Sequence, residues 1–451
     1  MNGCATQGSG RAACPGLAVR GPPAAQSPHG ARDPAFRPAE DILSYDDGIA
    51  TDGLQQVVDN LAQRLGRSVA VDDPQGRMVT VSRHFGDEDP LRVYAVLQRE
   101  SDERVMAHFR AHRIYDWTEP GRVPAAPEID FKARVCCPVR ARGLLFGHLF
   151  LIDQDVDGWE VDAAAAAATE VGGLMYRRVI LHERAQARAE ELARDLIAGT
   201  ARTREAAALA AVEERQVVAA EPVVALVVAP DGEPGPESEA ALRTAAEHAV
   251  RDHAPGRILA TVDGRRATLL LFGGAATTGT ARGTATRMLA GLDRSTRAVT
   301  GIGASATGAD AAYRSHDGAR LAAHAAALLP DLGDVVAEAE LGVLGVLLRL
   351  PRAARTAERL PDGLRRLLAQ DNGDVLVGTL ETYLDCCGDA TRTATTLRVH
   401  RSTLYYRLGR IEALGEVSLH DGADRLALHL GVKLHRVLEA YRSRPDLLTD
   451  P

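Results

Sequence analysis

The stretch Asp389–Glu412, DATRTATTLRVHRSTLYYRLGRIE, decides the fold of the C-terminal part of the chain. Between its two acids lie 22 residues with five arginines (Arg392, Arg398, Arg401, Arg407 and Arg410) and no carboxylate. Residues 362–443 as a whole carry eleven basic and eleven acidic side chains, so the positive charge is concentrated in one place on a neutral region. Cys386 and Cys387 close a preceding helix, and Gly388 is a natural stop. Thr391 caps or opens a short helix that turns Ala394 and Leu397 inward. Val399 and His400 form the turn, and Ser402 or Thr403 starts a second helix. Leu404, Leu408 and Ile411 follow at i, i+4 and i+7 as its buried stripe. Two helices joined by a tight turn, the second exposing a cationic face, predict a helix-turn-helix.

In this motif the N-terminal residues of the second helix meet base edges in the major groove. That places Arg401, Ser402, Tyr405, Tyr406 and Arg410 at base edges, with Arg401 suited to bidentate contact with guanine. Thr391, Arg392, Thr403 and Arg407 are expected at phosphates, which fix register without reading sequence. A solvated surface helix is the competing reading. The turn, the stripe and the missing acids together favour double-stranded DNA.

Outward from this segment, LETYLDCCGDATRTATTLRVHRSTLYYRLGRIEALG (380–415) and DRLALHLGVKL (424–434) resemble the helix-turn-helix of PucR- and CdaR-type transcription factors. Residues 389–408 also resemble, without a gap, the DNA-binding helices of the factor for inversion stimulation. The resemblance implies phosphate contacts at Thr391, Arg392 and Thr403 and base contacts around His400, Arg401 and Tyr406. Ser402 stands where such regulators usually carry Asn, and Gly409 replaces a longer residue in mid-helix. Upstream, AEELARDLIAG (189–199) and VTGIGASATGADAAYRSHDGARLAAHAA (299–326) resemble the degenerate GGDEF-like domain of the same regulators. Active cyclases of that fold carry hairpin carboxylates for a metal. The corresponding DGRRATLLL (263–271) puts Arg265 and Arg266 at those positions, and cations do not ligate Mg²⁺.

The fold class expected is multidomain α+β. Residues 1–50 hold nine alanines, six glycines and six prolines in their first forty positions and no apolar period, and read as a disordered leader or an early start codon. Residues 51–175 run helix, hairpin, variable middle, hairpin, helix, and CPVRARGLLFGHLFLID (137–153) is their most GAF-like piece. Residues 176–200 form a charged linker helix, either a dimer contact or an ordinary amphipathic segment. Residues 201–335 follow a β-α-β-β-α-β-α order typical of a ferredoxin-like sheet, with Asp263-Gly264 as a hairpin turn. Residues 336–445 are the helix-turn-helix domain, where Leu426, Leu430, Leu434, Val437 and Leu438 read as a core stripe.

Composition bounds the alternatives. Net charge is −8, so any contact with nucleic acid is local. Only two of the 53 basic residues, Lys132 and Lys433, are lysines, a bias that reflects codon usage more than phosphate binding. No apolar run approaches a membrane span. Adjacent cysteine pairs, Cys136–Cys137 and Cys386–Cys387, have neither zinc-ribbon nor disulfide-framework spacing and indicate a reduced, cytoplasmic chain. One member of the Cys136–Cys137 pair is expected to point inward. No catalytic triad, phosphate loop or metal-ligand spacing stands out, and no cofactor is expected. The expected partners are DNA, a second copy of the chain and an unknown small-molecule effector. The rival functions are a nucleotide cyclase-like enzyme and a signalling scaffold without DNA affinity.

Overall fold

The computed structural model describes residues 51–217, 222–232, 236–292 and 297–448. The expected leader, with Cys4 and Cys14, lies outside them. The chain divides between Ile180 and Leu181 into two compact units.

The first unit opens with α1 (Thr51–Leu65), β1 (Val69–Asp72), β2 (Met78–Val81), α2 (Pro90–Gln98) and α3 (Glu103–Ala111). β3 (Gly121–Val123), β4 (Arg134–Ala141), β5 (Leu144–Ile152) and α4 (Gly158–Ala198) follow. The sheet order is β2-β1-β5-β4-β3, antiparallel throughout. Both faces are covered. Val58, Leu61, Phe146 and Met175 pack on one, and Leu91, Phe109, Phe131 and Phe150 on the other. This corrects the expectation for the cysteine pair. Side chains alternate across β4, so Cys136 enters one core and Cys137 the other, and both are buried. Burial keeps both as thiols, pushing Cys137 up to about 12.

The Ala-rich segment and the charged segment after it form α4, one helix of 41 residues. Within it Gly172 serves a close approach: a Cβ there would lie 2.6 Å from the Arg140 carbonyl oxygen.

The second unit contains α5 (Ala201–Glu213), β6 (Pro222–Pro230), α6 (Pro236–Arg251), β7 (Ile258–Val262), β8 (Ala267–Phe272) and α7 (Thr278–Gly291). β9 (Ala298–Ile302), β10 (Ala306–Thr307), α8 (Ala312–Leu328) and β11 (Val335–Ala337) complete its sheet layer. β6 to β9 are arranged in the order β9-β6-β8-β7, which is the ferredoxin-like pattern expected from the element order. β11 adds a parallel edge strand beside β9 that the sequence reading did not include. α6 and α7 cover one face, while α5, α8 and the last turns of α4 cover the other.

β9 and α8 meet backbone to backbone. A Cβ on Gly301 would lie 1.9 Å from the Ala319 carbonyl oxygen and 2.3 Å from the Ala323 nitrogen. Neither atom can rotate away. Gly301→Ala is therefore expected to destabilise this unit by at least the ~1–3 kcal/mol typical of overpacking. Urea titration of the full chain checks this; an unaltered midpoint would show that the helix can lift without cost.

The remaining helices are α9 (Val343–Arg349), α10 (Asp362–Leu368), α11 (Gly373–Asp385), α12 (Ala390–Leu397), α13 (Arg401–Gly415) and α14 (Gly422–Ser443). Their core gathers Leu364, Leu376, Leu380, Leu404, Ile411, Leu428 and Val432. α14 is tied to the sheet layer by a 2.8 Å bond between Tyr441 Oη and His324 Nε2 on α8, and by Val437 packing in the same core as Leu321. Its buried side differs from the one expected. Leu434 and Val437 are inside, and Leu438 is partly buried, but Leu426 and Leu430 are exposed, because the inward face carries Leu428 and Val432 two residues further on.

Candidate nucleic-acid interface

Asp389 is the cap that launches α12. Its Oδ1 accepts hydrogen bonds from the backbone N–H of Thr391 at 2.8 Å and of Arg392 at 3.0 Å, and its carboxyl is held below the usual range by those two bonds. This replaces the expected cap at Thr391, which is an exposed first-turn residue. Thr393 and Ala394 face the core. The helix stops at Arg398, whose left-handed backbone (φ +53°) lets the chain reverse, and Val399 donates its N–H back to the Ala394 carbonyl. Leu397, expected inward, is partly buried against the core.

His400 then caps α13, which begins at Arg401, one residue before the earlier of the expected starts, Ser402 or Thr403. Its Nδ1 accepts from the Ser402 N–H at 3.3 Å and lies 2.7 Å from the Ser402 hydroxyl. With Nδ1 accepting, the ring proton sits on Nε2. A base contact from His400 would thus come from a ring already oriented by the helix it begins.

Leu404, Leu408 and Ile411 are buried, as the period predicts. Their insertion against α10, α11 and α12 fixes which face of α13 remains outside. Arg401, Ser402, Thr403, Tyr405, Tyr406, Gly409 and Arg410 are exposed, and Tyr406 keeps 69% of its surface open to solvent. Arg407 behaves differently from its expected role at a phosphate: it is partly buried, and its Nη1 donates to Thr379 Oγ1 on α11 at 3.3 Å. That bond docks α13 on α11. Among the described residues, Arg392, Arg398, Arg401 and Arg410 have no carboxylate within ion-pair distance, although the Asp389 carboxylate feels the charges of Arg392 and Arg401.

α11 is braced separately. Lys433 on α14 bridges Glu381 (2.9 Å) and Asp385 (2.8 Å) on α11, and His429 reaches the same Asp385 at 2.8 Å. Sequence reading missed this brace; the signal was a lysine in a chain that otherwise uses arginine. The braced acids lie on α11, outside the acid-free segment.

In the middle layer, Asp263 Oδ1 accepts from the backbone N–H of Arg265 at 3.2 Å and of Arg266 at 2.9 Å, so the β7–β8 turn spends its one carboxylate on its own backbone. Arg265 is exposed and Arg266 partly buried. No group of three metal-ligating side chains occurs among the described residues.

Residues 376–434 match the PucR C-terminal helix-turn-helix domain, and residues 198–325 match the GGDEF-like domain. The chain is 36% identical over 92 residues to the carbohydrate diacid regulator of Escherichia coli (strain K12). That match covers 20% of this chain and spans about a quarter (24%) of the relative's length. A solved structure of a regulator of polyketide synthase expression from Bifidobacterium adolescentis aligns over 57% of this chain and 99% of its own at 19% identity, with a TM-score of 0.28. The resemblance to PucR- and CdaR-type regulators thus holds for the helix-turn-helix and GGDEF-like segments. Among the described residues no helix is long and apolar enough to cross a membrane.

Proposed function

We propose that the chain is a cytoplasmic transcriptional regulator that binds double-stranded DNA through α12 and α13. The observation that carries this reading is the two-sided character of α13. Its apolar stripe is locked in the core, while its outer face offers arginines and tyrosines and contributes no acid of its own. Arg401 in the first turn, Ser402, Tyr405, Tyr406 and Arg410 are assigned to base edges. Thr391 and Arg392, on the first turn of α12, and Thr403 are assigned to phosphates. Arg407 is assigned to docking first and to phosphate only if the Thr379 bond opens. Binding as a homodimer to two half-sites about one helical turn apart follows from how such motifs pair.

The GGDEF-like domain is read as a packing and transmission module, since arginines occupy its hairpin; a cyclic dinucleotide formed from GTP by the purified chain would reverse that. The first unit, with its helix–sheet–helix layers, is read as a GAF-like sensor of a ligand.

The test is fluorescence anisotropy of the full chain on duplexes selected from a random pool. Arg401→Ala is expected to flatten discrimination at one base pair by about 1–3 kcal/mol. Arg392→Ala is expected to weaken all duplexes alike and to reduce the salt slope by about one. Equal losses from both, with base preference unchanged, would overturn the assignment. Absence of binding to any duplex at low salt would overturn the reading itself.

A further inference from the structure

The core where α8, α9 and α14 meet gathers Leu321, Ala325, Leu344, Leu348 and Val437, and Tyr441 belongs to it. Beside Tyr441 the chain between α9 and α10 makes a single turn, Arg352–Ala354, which is followed by Arg355. Arg355 is only 8% exposed. Its Nη1 donates to Tyr441 Oη, and its guanidinium lies 5.0 Å over the Tyr441 ring. The same Tyr441 Oη lies 2.8 Å from His324 Nε2 on α8. One hydroxyl thus joins a buried guanidinium of the helical region to the sheet layer.

A cavity of about 330 Å³ opens on this pair, a volume within the range of small-molecule sites. Arg355, Tyr441 and the partly buried Leu438 lie deepest in it. Arg352, Ala357, Arg442 and Pro445 are exposed and form its mouth, so the way in is from solvent. Three guanidiniums therefore face one small space. Arg442 pairs with Glu439 one turn back, whereas Arg352 makes no ion pair among the described residues. Charges of one sign gathered around a cleft concentrate its field and favour an anion. A carboxylate offers such a cleft two oxygens in one plane. A phosphate monoester offers three and a charge near −2, enough for forked contacts from two guanidiniums and a further one at the rim. Leu438, Ala357 and Pro445 are apolar and would cover the body that carries the phosphate.

We propose that this cavity binds a small phosphate monoester with an apolar or aromatic body, the phosphate held by Arg355 from within and by Arg352 and Arg442 at the mouth. The proposal goes beyond the DNA-binding reading and rests on it only in expecting a consequence at DNA. An occupant gripping Arg355 holds the chain of contacts from Arg355 through Tyr441 to His324, and with it the seating of the helical region on the sheet layer.

Both tryptophans of the chain, Trp117 and Trp159, lie in the first unit, so fluorescence reports on that unit and not on this cavity; titration calorimetry of the full-length chain serves here. Phenyl phosphate is the probe. Phenyl sulfate, with one charge fewer on the same body, and inorganic phosphate, which lacks the body, are the comparisons. Phenyl phosphate is expected to bind about tenfold more tightly than either. Arg352→Ala changes an exposed side chain and is expected to weaken it about tenfold. Arg355→Lys keeps the charge but loses the fork, and is expected to weaken it by at least as much. No binding of phenyl phosphate, or equal affinity in wild type and Arg352→Ala, would overturn the site. So would phenyl sulfate binding as tightly as phenyl phosphate. A loss in Arg392→Ala as large as that in Arg352→Ala would also overturn it, by placing the phosphate on the DNA-facing arginines. Phenyl phosphate binding that leaves DNA affinity unchanged would keep the site and remove its effect on DNA.

Discussion

Leu404→Ala is expected to cost the C-terminal helices about 3–5 kcal/mol and with it most of the DNA affinity. Leu404 is fully buried in the first full turn of α13, in the core that also holds Leu364, Leu376, Leu380 and Leu428. Truncating such a leucine removes its transfer energy and leaves a cavity that three helices have to close, which places the cost in the upper half of the large-to-small range. The loss is a large share of the ~5–15 kcal/mol that separates a folded domain from its unfolded chain. The recognition face would then lose its shape without losing one exposed residue. Tyr406→Ala supplies the contrast, since it removes an exposed ring and should alter DNA binding while leaving the urea midpoint in place. Circular dichroism and anisotropy on the same samples check both. If Leu404→Ala kept the wild-type midpoint, α13 would not be held by this stripe, and the assignment of its outer face would fall with it.

The helix-turn-helix was legible because two signals coincided. Leu404, Leu408 and Ile411 fall on one side of a 3.6-residue period, and the other side holds no acid. Caps were harder to read. Asp389 and His400 were passed over for Thr391 and Ser402, since neighbouring residues can each cap and only the backbone angle at the helix start decides among them. The ferredoxin-like order was readable from strand and helix lengths, but β11 has three residues and no period to announce it. On α14, leucines at 426 and 430 looked like a stripe, yet the core took Leu428 and Val432. An Ala- and Leu-rich helix offers more than one apolar face, and the partner surface chooses. The buried arginines of the first unit were the least legible of all. In a chain whose basic residues are nearly all arginine, nothing local distinguishes Arg92 and Arg134 from residues placed there by codon usage.

Asp89→Ala is expected to be the most damaging single change in the first unit. The substitution strands the Arg134 charge, which is only 3% exposed, and breaking one side of a buried pair costs about 3–5 kcal/mol. It also removes the cap of α2, worth about 1 kcal/mol. Tryptophan-monitored unfolding should show the loss in this unit. Asp89→Asn, which keeps an acceptor for the Arg92 N–H, should recover the cap portion only. Acid and base then separate the two buried carboxylates. Asp89 is lowered by Arg134 and by its backbone donors once these outweigh the burial that opposes them. Its stabilisation is present above the unfolded value near 3.8 and is lost as pH falls below it. Asp72 has the opposite sign. Its folded-state value of about 6 lies above the unfolded 3.8, so its contribution is complete below pH 3.8 and disappears as pH rises through 6. Two units correspond to about 3 kcal/mol, so wild type should lose stability between pH 4 and 7 in a way that Asp72→Asn does not. Parallel pH profiles for the two proteins would mean that Asp72 does not titrate there.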